Sequence, residues 1–505
     1  MKSLKFKWAC AVLSFLGAMP TRAQSGNPLL KAGKIIVTGE VNIPPAIRKD
    51  SIWLLLKVPH PFTGEVRLYK TMLDEAGRFL LEVNSQTDLT RCAVTTDINK
   101  YNQVSFHLKS GRENKISFSY NTNGVIDKIT PGDTSVFTEV DQLYGLMKYD
   151  EMIAERSNNP IKPLYDKDFS SFLEHARNVV QRKGKVLNNP PLLSDKMKQI
   201  LFRDFTLAMH YVHVFNYEEE MVLNYRNTHN QEAPDSTVIK KPTRAYFSFL
   251  KDLDLNNPSN LYCFSYPIFL QELLKSNALN LPRIQETPIR EWLKNVKTIL
   301  QPLSGLKDGL FYDMLVSNAY ALQFEVDLAP LTSKQIQLIR EQFKGGDLEN
   351  ILQKRNQEIV QQSAHKSSLV INTTPAVPSD KLMHAIISRY KGKMVIVDLW
   401  ATWCSPCIAA MKESRDLKIR IAGKDVIFLY ISGPSSPREL WGNMIQGIGG
   451  EQYYVTKEEW KVILDSYNIN GIPSYLIFDK NGIMKQQFTS YPGNEAMQQL
   501  IESVR

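Results

Sequence analysis

The chain reads as a multidomain protein with an N-terminal antiparallel β domain, an all-α middle domain and a C-terminal α/β domain. Three observations give that order. Hydrophobic residues recur with period two over residues 31–127 and with the helical period over 138–365, and over 375–505 they form short, intensely apolar runs between helical stretches. The 505 residues are too many for one core and suit roughly three domains at ~150 residues each. Hydrophobic residues make up 43% and charged residues 22%, with no sizeable low-complexity tract, which excludes extensive disorder.

Residues 1–23 are expected to be a secretory signal peptide. A basic start with Lys2, Lys5 and Lys7 precedes an apolar stretch from Trp8 to Met19, and small residues end at Ala23. The apolar stretch is about 12 residues, well short of the ~20 that cross a bilayer. Cys10 lies inside it rather than after it, which argues against a lipid-modified N-terminal cysteine. Cleavage near Ala23, with no later run of 18 apolar residues, predicts a periplasmic protein secreted across the inner membrane. Of the formal charge of +9, four positive charges (Lys2, Lys5, Lys7 and Arg22) belong to this leader, leaving +5. The remaining basic residues are interleaved with acids, and no basic run is flanked by stacking aromatics, so no nucleic-acid partner is expected.

Residues 31–127 are predicted to form a β-sandwich-like domain. Phe79, Leu81 and Val83 alternate with polar neighbours, as do Val104, Phe106 and Leu108, and Ile116, Phe118 and Tyr120. Turns at Asp74 to Gly77 and at Asn123-Gly124 punctuate these strands, which favours antiparallel pairing. Residues 138–365 are predicted to be helical, with stretches near 168–183, 194–224, 287–301 and 347–362. The clearest case is TSKQIQLIREQFKGG, where Ile336, Ile339 and Phe343 share a face, Thr332 and Gln335 form a capping box and Gly345 supplies a stop. The polar segment SSLVINTTPAVPSD then separates the helices from the block 375–505. In that block the apolar strands Met394 to Leu399, Val426 to Ile431 and Tyr475 to Phe478 are expected to be covered on both faces. The turn DKNG leads to a hairpin strand, Ile483 to Phe488, and a terminal helix starts near Asn494.

The chemistry lies in VDLWATWCSPCIAAMKE, Val397 to Glu413. A strand ends at Leu399, a short turn follows, and Cys404 falls where a helix should begin. At that first turn, free backbone N–H groups and the helix dipole stabilise negative charge on the Cys404 sulfur, while Cys407 lies one turn inward and is shielded. A free thiol of pKa about 8.5 is only a few per cent ionised at pH 7, whereas one lowered to about 7 is roughly half ionised. The gain in thiolate outweighs the accompanying loss of nucleophilicity. Cys404 is therefore the expected attacking thiolate.

The motif WCSPC after VDLWAT, followed some 65 residues later by GIPSYLIFDKNG, resembles a thioredoxin-like domain. More narrowly, it is similar to the secreted TlpA/ResA-like thiol–disulfide oxidoreductases, including the multidomain type common in Bacteroidota. The resemblance covers about the last 130 residues. It implies that Cys404 is the nucleophile, that Cys407 is the resolving thiol of a redox-active disulfide, and that Pro473 follows a cis bond. It further implies that the Ile472 backbone pairs with an extended substrate and that Asp398 is a buried carboxylate beneath the resolving cysteine. Burial would raise the pKa of Asp398 and let it take the Cys407 proton. Trp400 and Trp403 match aromatics around the site; packing is their expected role, with Trp403 also a candidate substrate contact. Two departures stand out. The strand Val426 to Ile431 holds no lysine to face Asp398, and Lys412 stands where many relatives have a helix-kinking proline, so a straighter active-site helix is expected.

The resemblance predicts an extracytoplasmic enzyme that reduces client disulfides through a Cys-Ser-Pro-Cys dithiol. It needs no cofactor and is recharged by an upstream redox donor, which could be membrane-bound. Its partner would be a disulfide-containing or dithiol client protein. The alternatives are a non-catalytic envelope binding or assembly protein carrying this module, and a peroxide-reducing thiol enzyme. No metal is expected: a lone CxxC lacks the second ligand pair of a zinc site, and His210 and His213 have no fixed third ligand. Cys92 and Cys263 are left open between a bridge and two buried thiols.

Overall fold

The computed structural model describes residues 29–504 except 158–159, 230–233, 236–237, 326, 328, 365–368 and 422–423. The expected signal peptide lies outside the described residues. No described helix is long and apolar enough to cross a membrane.

The N-terminal strands are β1 (Leu30–Asn42), β2 (Trp53–His60), β3 (Glu65–Met72), β4 (Arg78–Thr87), β5 (Leu89–Thr96), β6 (Val104–Lys109), β7 (Glu113–Tyr120) and β8 (Ile126–Thr130). They form two four-stranded sheets, ordered β4-β1-β7-β8 and β3-β2-β5-β6. The alternating residues read from the sequence face one shared core, including Phe79, Leu81, Val83, Phe106, Leu108, Ile116 and Phe118. One pairing departs from the antiparallel expectation, because β1 and β7 run parallel from Ile36 opposite Glu113 to Asn42 opposite Ser119. After β4 the chain crosses to the other sheet for β5 and β6, and this long return lets β7 enter beside β1 in the same direction. The two backbones meet closely at Gly39, where a Cβ would lie 1.6 Å from the Ile116 carbonyl oxygen.

The middle region packs the helices Glu139–Ala154, Phe169–Gly184, Asp195–Met209, Tyr217–Thr228, Ser265–Lys275, Ile289–Ser304, Leu310–Glu325, Ser333–Phe343 and Asp347–Ala364 around a large apolar cluster. The Thr332–Gln335 capping box forms as read, and Lys344 rather than Gly345 is the first left-handed residue after that helix, at φ 47°. The expected helical stretch 194–224 is interrupted by a π turn at His210–Val214. His210 Nδ1 meets the Thr206 carbonyl at 2.7 Å and His213 Nδ1 meets Glu220 Oε1 at 2.7 Å, so the two rings serve different partners.

The C-terminal sheet comprises β9 (Val370–Asn372), β10 (Met394–Leu399), β11 (Val426–Ser432), β12 (Glu451–Tyr454), β13 (Ser474–Phe478) and β14 (Met484–Thr489), ordered β14-β13-β10-β11-β12-β9. β9 to β12 are mutually parallel with their neighbours, while β13 is antiparallel to β10 and β14. The domain thus begins at Val370, ahead of the expected 375. β9 is a three-residue edge strand with Val370 and Ile371 exposed, too short to give a period-two pattern, and Asn372 Nδ2 donates to Glu451 Oε2 on β12 at 2.7 Å. Alternate β10 residues enter different cores: Val395, Val397 and Leu399 on one face, Met394 and Ile396 on the other.

A partly buried charge network, with Glu325 and Arg355 at its buried centre, joins the three regions. Arg67 on β3 meets Glu65 at 2.7 Å and Glu358 at 2.6 Å. Arg355 meets Glu65 at 2.9 Å, Glu325 at 2.7 Å and Glu358 at 3.2 Å. Glu325 also pairs with Lys412, on the helix that carries the cysteines. Three acids and three bases balance only when all three regions are in place. Burial pushes the Glu325 carboxyl up, but Lys412 and Arg355 outweigh it and hold it at about 2. Removing one member of such a network leaves its partners buried without compensation, which costs about 3–5 kcal/mol. Arg355→Met is therefore expected to lower unfolding stability by about that amount in a urea titration, and a change under about 1 kcal/mol would contradict it.

Candidate active site

Strand β10 delivers the chain to the site. Trp400 N–H still donates to the Ile431 carbonyl at 3.1 Å, after which the backbone leaves the sheet and Thr402 N–H donates to Ser436 Oγ at 3.0 Å. Ser436 and Ser432 hydroxyls bond each other at 2.9 Å, which ties the loop after β11 to the loop after β10. Cys404 is the N-cap of the helix Ser405–Glu413, with Pro406 in the first turn, where its missing N–H costs nothing.

Cys404 and Cys407 form a disulfide, with Cα atoms 5.2 Å apart. Cys404 is 3% exposed and Cys407 is fully buried, so the solvent-facing sulfur is the one at the helix start. The Cys407 N–H points at Cys404 Sγ at 3.2 Å. A first-turn amide aimed at that atom is the donor that stabilises a thiolate there. The Ile472–Pro473 bond is cis, Pro473 is buried, and Ile472 packs against the cluster that contains both cysteines.

Asp398 lies on β10 with Tyr430 opposite it on β11 and Tyr475 opposite it on β13. It is 5% exposed, and its Oδ1 has no hydrogen-bond partner among the described residues. Tyr430 shares a cluster with Cys407 and Met411, which puts Asp398 on the face that the dithiol helix covers. Burial raises its pKa to about 7, against the attraction of Lys418 and a hydrogen bond from Tyr475.

Lys418 answers the departure noted in the sequence. The partner of the buried acid comes from the helix Arg415–Arg420 instead of the adjacent strand. Its Nζ bonds the Tyr430 hydroxyl and sits over the rings of Phe428 and Tyr430, 5.2 and 4.9 Å from their centroids. Burial lowers its pKa to about 8, opposed by Asp398. A signal for it existed, since Lys418 follows Cys407 by eleven residues, three helical turns on the same face.

Two other expectations are corrected. Trp400 is buried as expected, but Trp403 is 62% exposed beside Cys404 and packs into no core. Its neighbour Thr402 is anchored to Ser436, and this turns the next side chain outward. The active-site helix does not run straight past Lys412. It is interrupted at Ser414, whose hydroxyl donates to the Met411 carbonyl at 3.2 Å, and the second segment that carries Lys418 follows the break. Cys92 and Cys263 are both buried and free. Cys92 Sγ donates to the Phe106 carbonyl, and burial pushes its thiol up to about 12, so neither competes with the dithiol. No group of three or more His, Cys, Asp or Glu able to hold a metal occurs among the described residues.

The model of the Thioredoxin-like family matches residues 392–484. The thiol-disulfide oxidoreductase ResA of Geobacillus kaustophilus is 26% identical over 121 residues, which cover 24% of this chain and 67% of that protein. ResA of Geobacillus thermodenitrificans is 24% identical with the same coverage. Among solved structures, a thioredoxin-family thiol:disulfide interchange protein from Chlorobium tepidum is 21% identical, with a TM-score of 0.22, covering 23% of this chain and 83% of that one. The thioredoxin domain of a Bacteroides vulgatus thiol-disulfide oxidoreductase is 23% identical, with a TM-score of 0.21, covering 23% and 84%.

The environment of Asp398 makes stability depend on pH in a defined sense. Its native pKa lies above the ordinary 3.8, so between about pH 4 and 7 the folded state holds a proton that the unfolded state has lost. Stability should fall as pH rises through that window, whereas the depressed Lys418 acts only above about pH 8. The other buried acids and histidines titrate alike in both proteins, so the stability of wild type relative to Asp398→Asn in thermal unfolding should fall from pH 4 to 7; a difference that stays constant with pH would contradict the assignment. With this pair beneath a helix-start disulfide, and a family match confined to the same stretch, the C-terminal domain of the chain is a thioredoxin-superfamily thiol–disulfide oxidoreductase domain.

Proposed function

We propose that the protein is an extracytoplasmic reductase of client disulfides that works through Cys404 and Cys407. The observation that carries this reading is the Cys404–Cys407 disulfide at a helix start above the buried Asp398–Lys418 pair. In the reduced enzyme the Cys404 thiolate attacks one sulfur of a client disulfide and expels the other as a thiolate. A mixed disulfide results. Cys407 then gives its proton to the Asp398 carboxylate and its sulfur attacks Cys404 Sγ, releasing the second client sulfur as a thiolate. The client gains two electrons and the enzyme is left as the disulfide.

An acid poised near pH 7 is suited to accept that proton, because it is partly ionised at the working pH and partly protonated after the step. Lys418 compensates its charge without neutralising it permanently. Ser405-Pro406 does not by itself fix the direction; reduction is proposed from the resemblance to TlpA/ResA-like oxidoreductases, with a dipeptide closer to Gly-Pro than to the Pro-His of strong oxidants. The return of electrons from an upstream dithiol donor and secretion through the leader at residues 1–23 belong to the same proposal. Ile472, Pro473 and the exposed Trp403 are the proposed client contacts around the sulfurs.

Insulin reduction followed by turbidity tests this. Cys404→Ala is expected to abolish it, and unchanged reduction would end the reading. Cys407→Ser should accumulate a covalent mixed disulfide, visible as a mass shift. Asp398→Asn should slow resolution of that intermediate by about 100-fold at pH 7, measured by rapid quench; an unaltered rate would remove Asp398 from the proton route.

A further inference from the structure

The strand beside Asp398 carries a tyrosine level with it. Tyr430 on β11 is the register partner of Asp398 on β10, so the two side chains leave the sheet on one face, and Phe428, two residues earlier, shares that face. The helix Arg415–Arg420 lies over this spot and turns Lys418 towards it. Lys418 Nζ donates a hydrogen bond to the Tyr430 hydroxyl and lies over both rings. One neutral acceptor and two ring faces thus stabilise the ammonium. Among the described residues no ion pair joins Lys418 to Asp398, and Asp398 Oδ1 has no hydrogen-bond partner.

That separation matters to the chemistry. A cation in contact with an aspartate lowers its pKa by about 1–3. Burial holds Asp398 at about 7 while Lys418 opposes it from beyond the tyrosine hydroxyl. Contact would return the acid towards the ordinary carboxylate range, where it is a weak acceptor for a thiol proton. Removing the cation would act the other way, because burial would then meet less opposition.

We propose that Tyr430 is a positioning residue of the redox reaction: its hydroxyl and ring, with the ring of Phe428, hold the Lys418 ammonium away from Asp398, so that the carboxylate keeps a free oxygen for the Cys407 proton. The inference rests on the reductase reading and adds to it the group that sets its proton acceptor. Tyr430 is placed for this, because its ring packs in the cluster that contains Cys404 and Cys407 while its hydroxyl meets Lys418. The other ionisable groups facing this layer are Tyr475 on β13, Arg415 on the helix of Lys418, and Tyr491 after β14, which also faces Glu413, Arg420 and Glu495. Burial raises both tyrosines, so neither ionises near neutral pH, and arginine stays charged throughout.

The two thiolates that the reduced full-length protein releases from 5,5′-dithiobis(2-nitrobenzoate) report the two steps in turn. Attack by Cys404 breaks the reagent's S–S bond and frees the first. Cys407 then passes its proton to Asp398, closes the bond to Cys404 Sγ and frees the second. Stopped flow follows this second phase from about pH 5 to 9. In wild type its rate should rise with a midpoint near pH 7. Tyr430→Phe keeps the ring but removes the acceptor, so the ammonium moves onto Asp398 and the midpoint should fall by about one pH unit or more. Lys418→Met should raise it by about one unit. A midpoint that stays or rises in Tyr430→Phe would overturn the role of Tyr430. Should that variant not fold, an unmoved midpoint in Lys418→Met would overturn it equally. A wild type that frees no first thiolate would sink the reductase reading and this inference with it, whereas unmoved midpoints with both phases intact would sink this inference alone.

Discussion

A carboxylate taken out of water needs a positive charge, and two such carboxylates organise this molecule. Asp398 lies under the dithiol and Glu325 lies at the end of a helix in the middle region. Both are compensated from the same stretch of chain. Lys418 turns inward to Asp398, and Lys412 turns outward to Glu325. The break at Ser414 separates the two lysines, so one segment can serve the chemistry and the other the docking. Losing either compensation would leave a buried charge that the fold cannot tolerate cheaply.

This arrangement explains why the domain tolerates lysine where relatives carry a kinking proline. The proline's effect, an interruption of the helix, is supplied two residues later by the back-bonding Ser414 hydroxyl. The position freed in this way carries the charge that joins the dithiol helix to Glu325. Through Arg355 the connection extends to Glu65 and Arg67 on β3, so the N-terminal sheets, the helices and the redox domain share one electrostatic joint.

What was legible in the sequence was local. The placement of Cys404 at a helix start, the capping box at Thr332 and the alternation of Phe79, Leu81 and Val83 depend on neighbours within a few residues, and periodicity reports those. The buried acid at Asp398 came from the family resemblance rather than from periodicity. The missed features depend on residues far apart in the chain. The parallel β1–β7 pair is set by a crossover through another sheet, β9 is a three-residue edge strand paired to a strand some 80 residues away, and Glu325–Lys412 spans 87 positions. Lys418 is intermediate: its spacing from Cys407 pointed to the right face, but only the packing shows that it faces Asp398. The outward turn of Trp403 was hidden because a tryptophan beside a buried site reads as core.

The account depends on Cys404 being acidified by its place at the helix start, with Cys407 kept protonated until its proton is taken. Thiolate absorbance near 240 nm, followed against pH in the reduced protein with Cys407→Ser as control, tests this most directly. The account predicts a Cys404 transition near pH 7, separate from a later one for Cys407. Two thiols titrating together near 8.5, as free cysteine does, would contradict it.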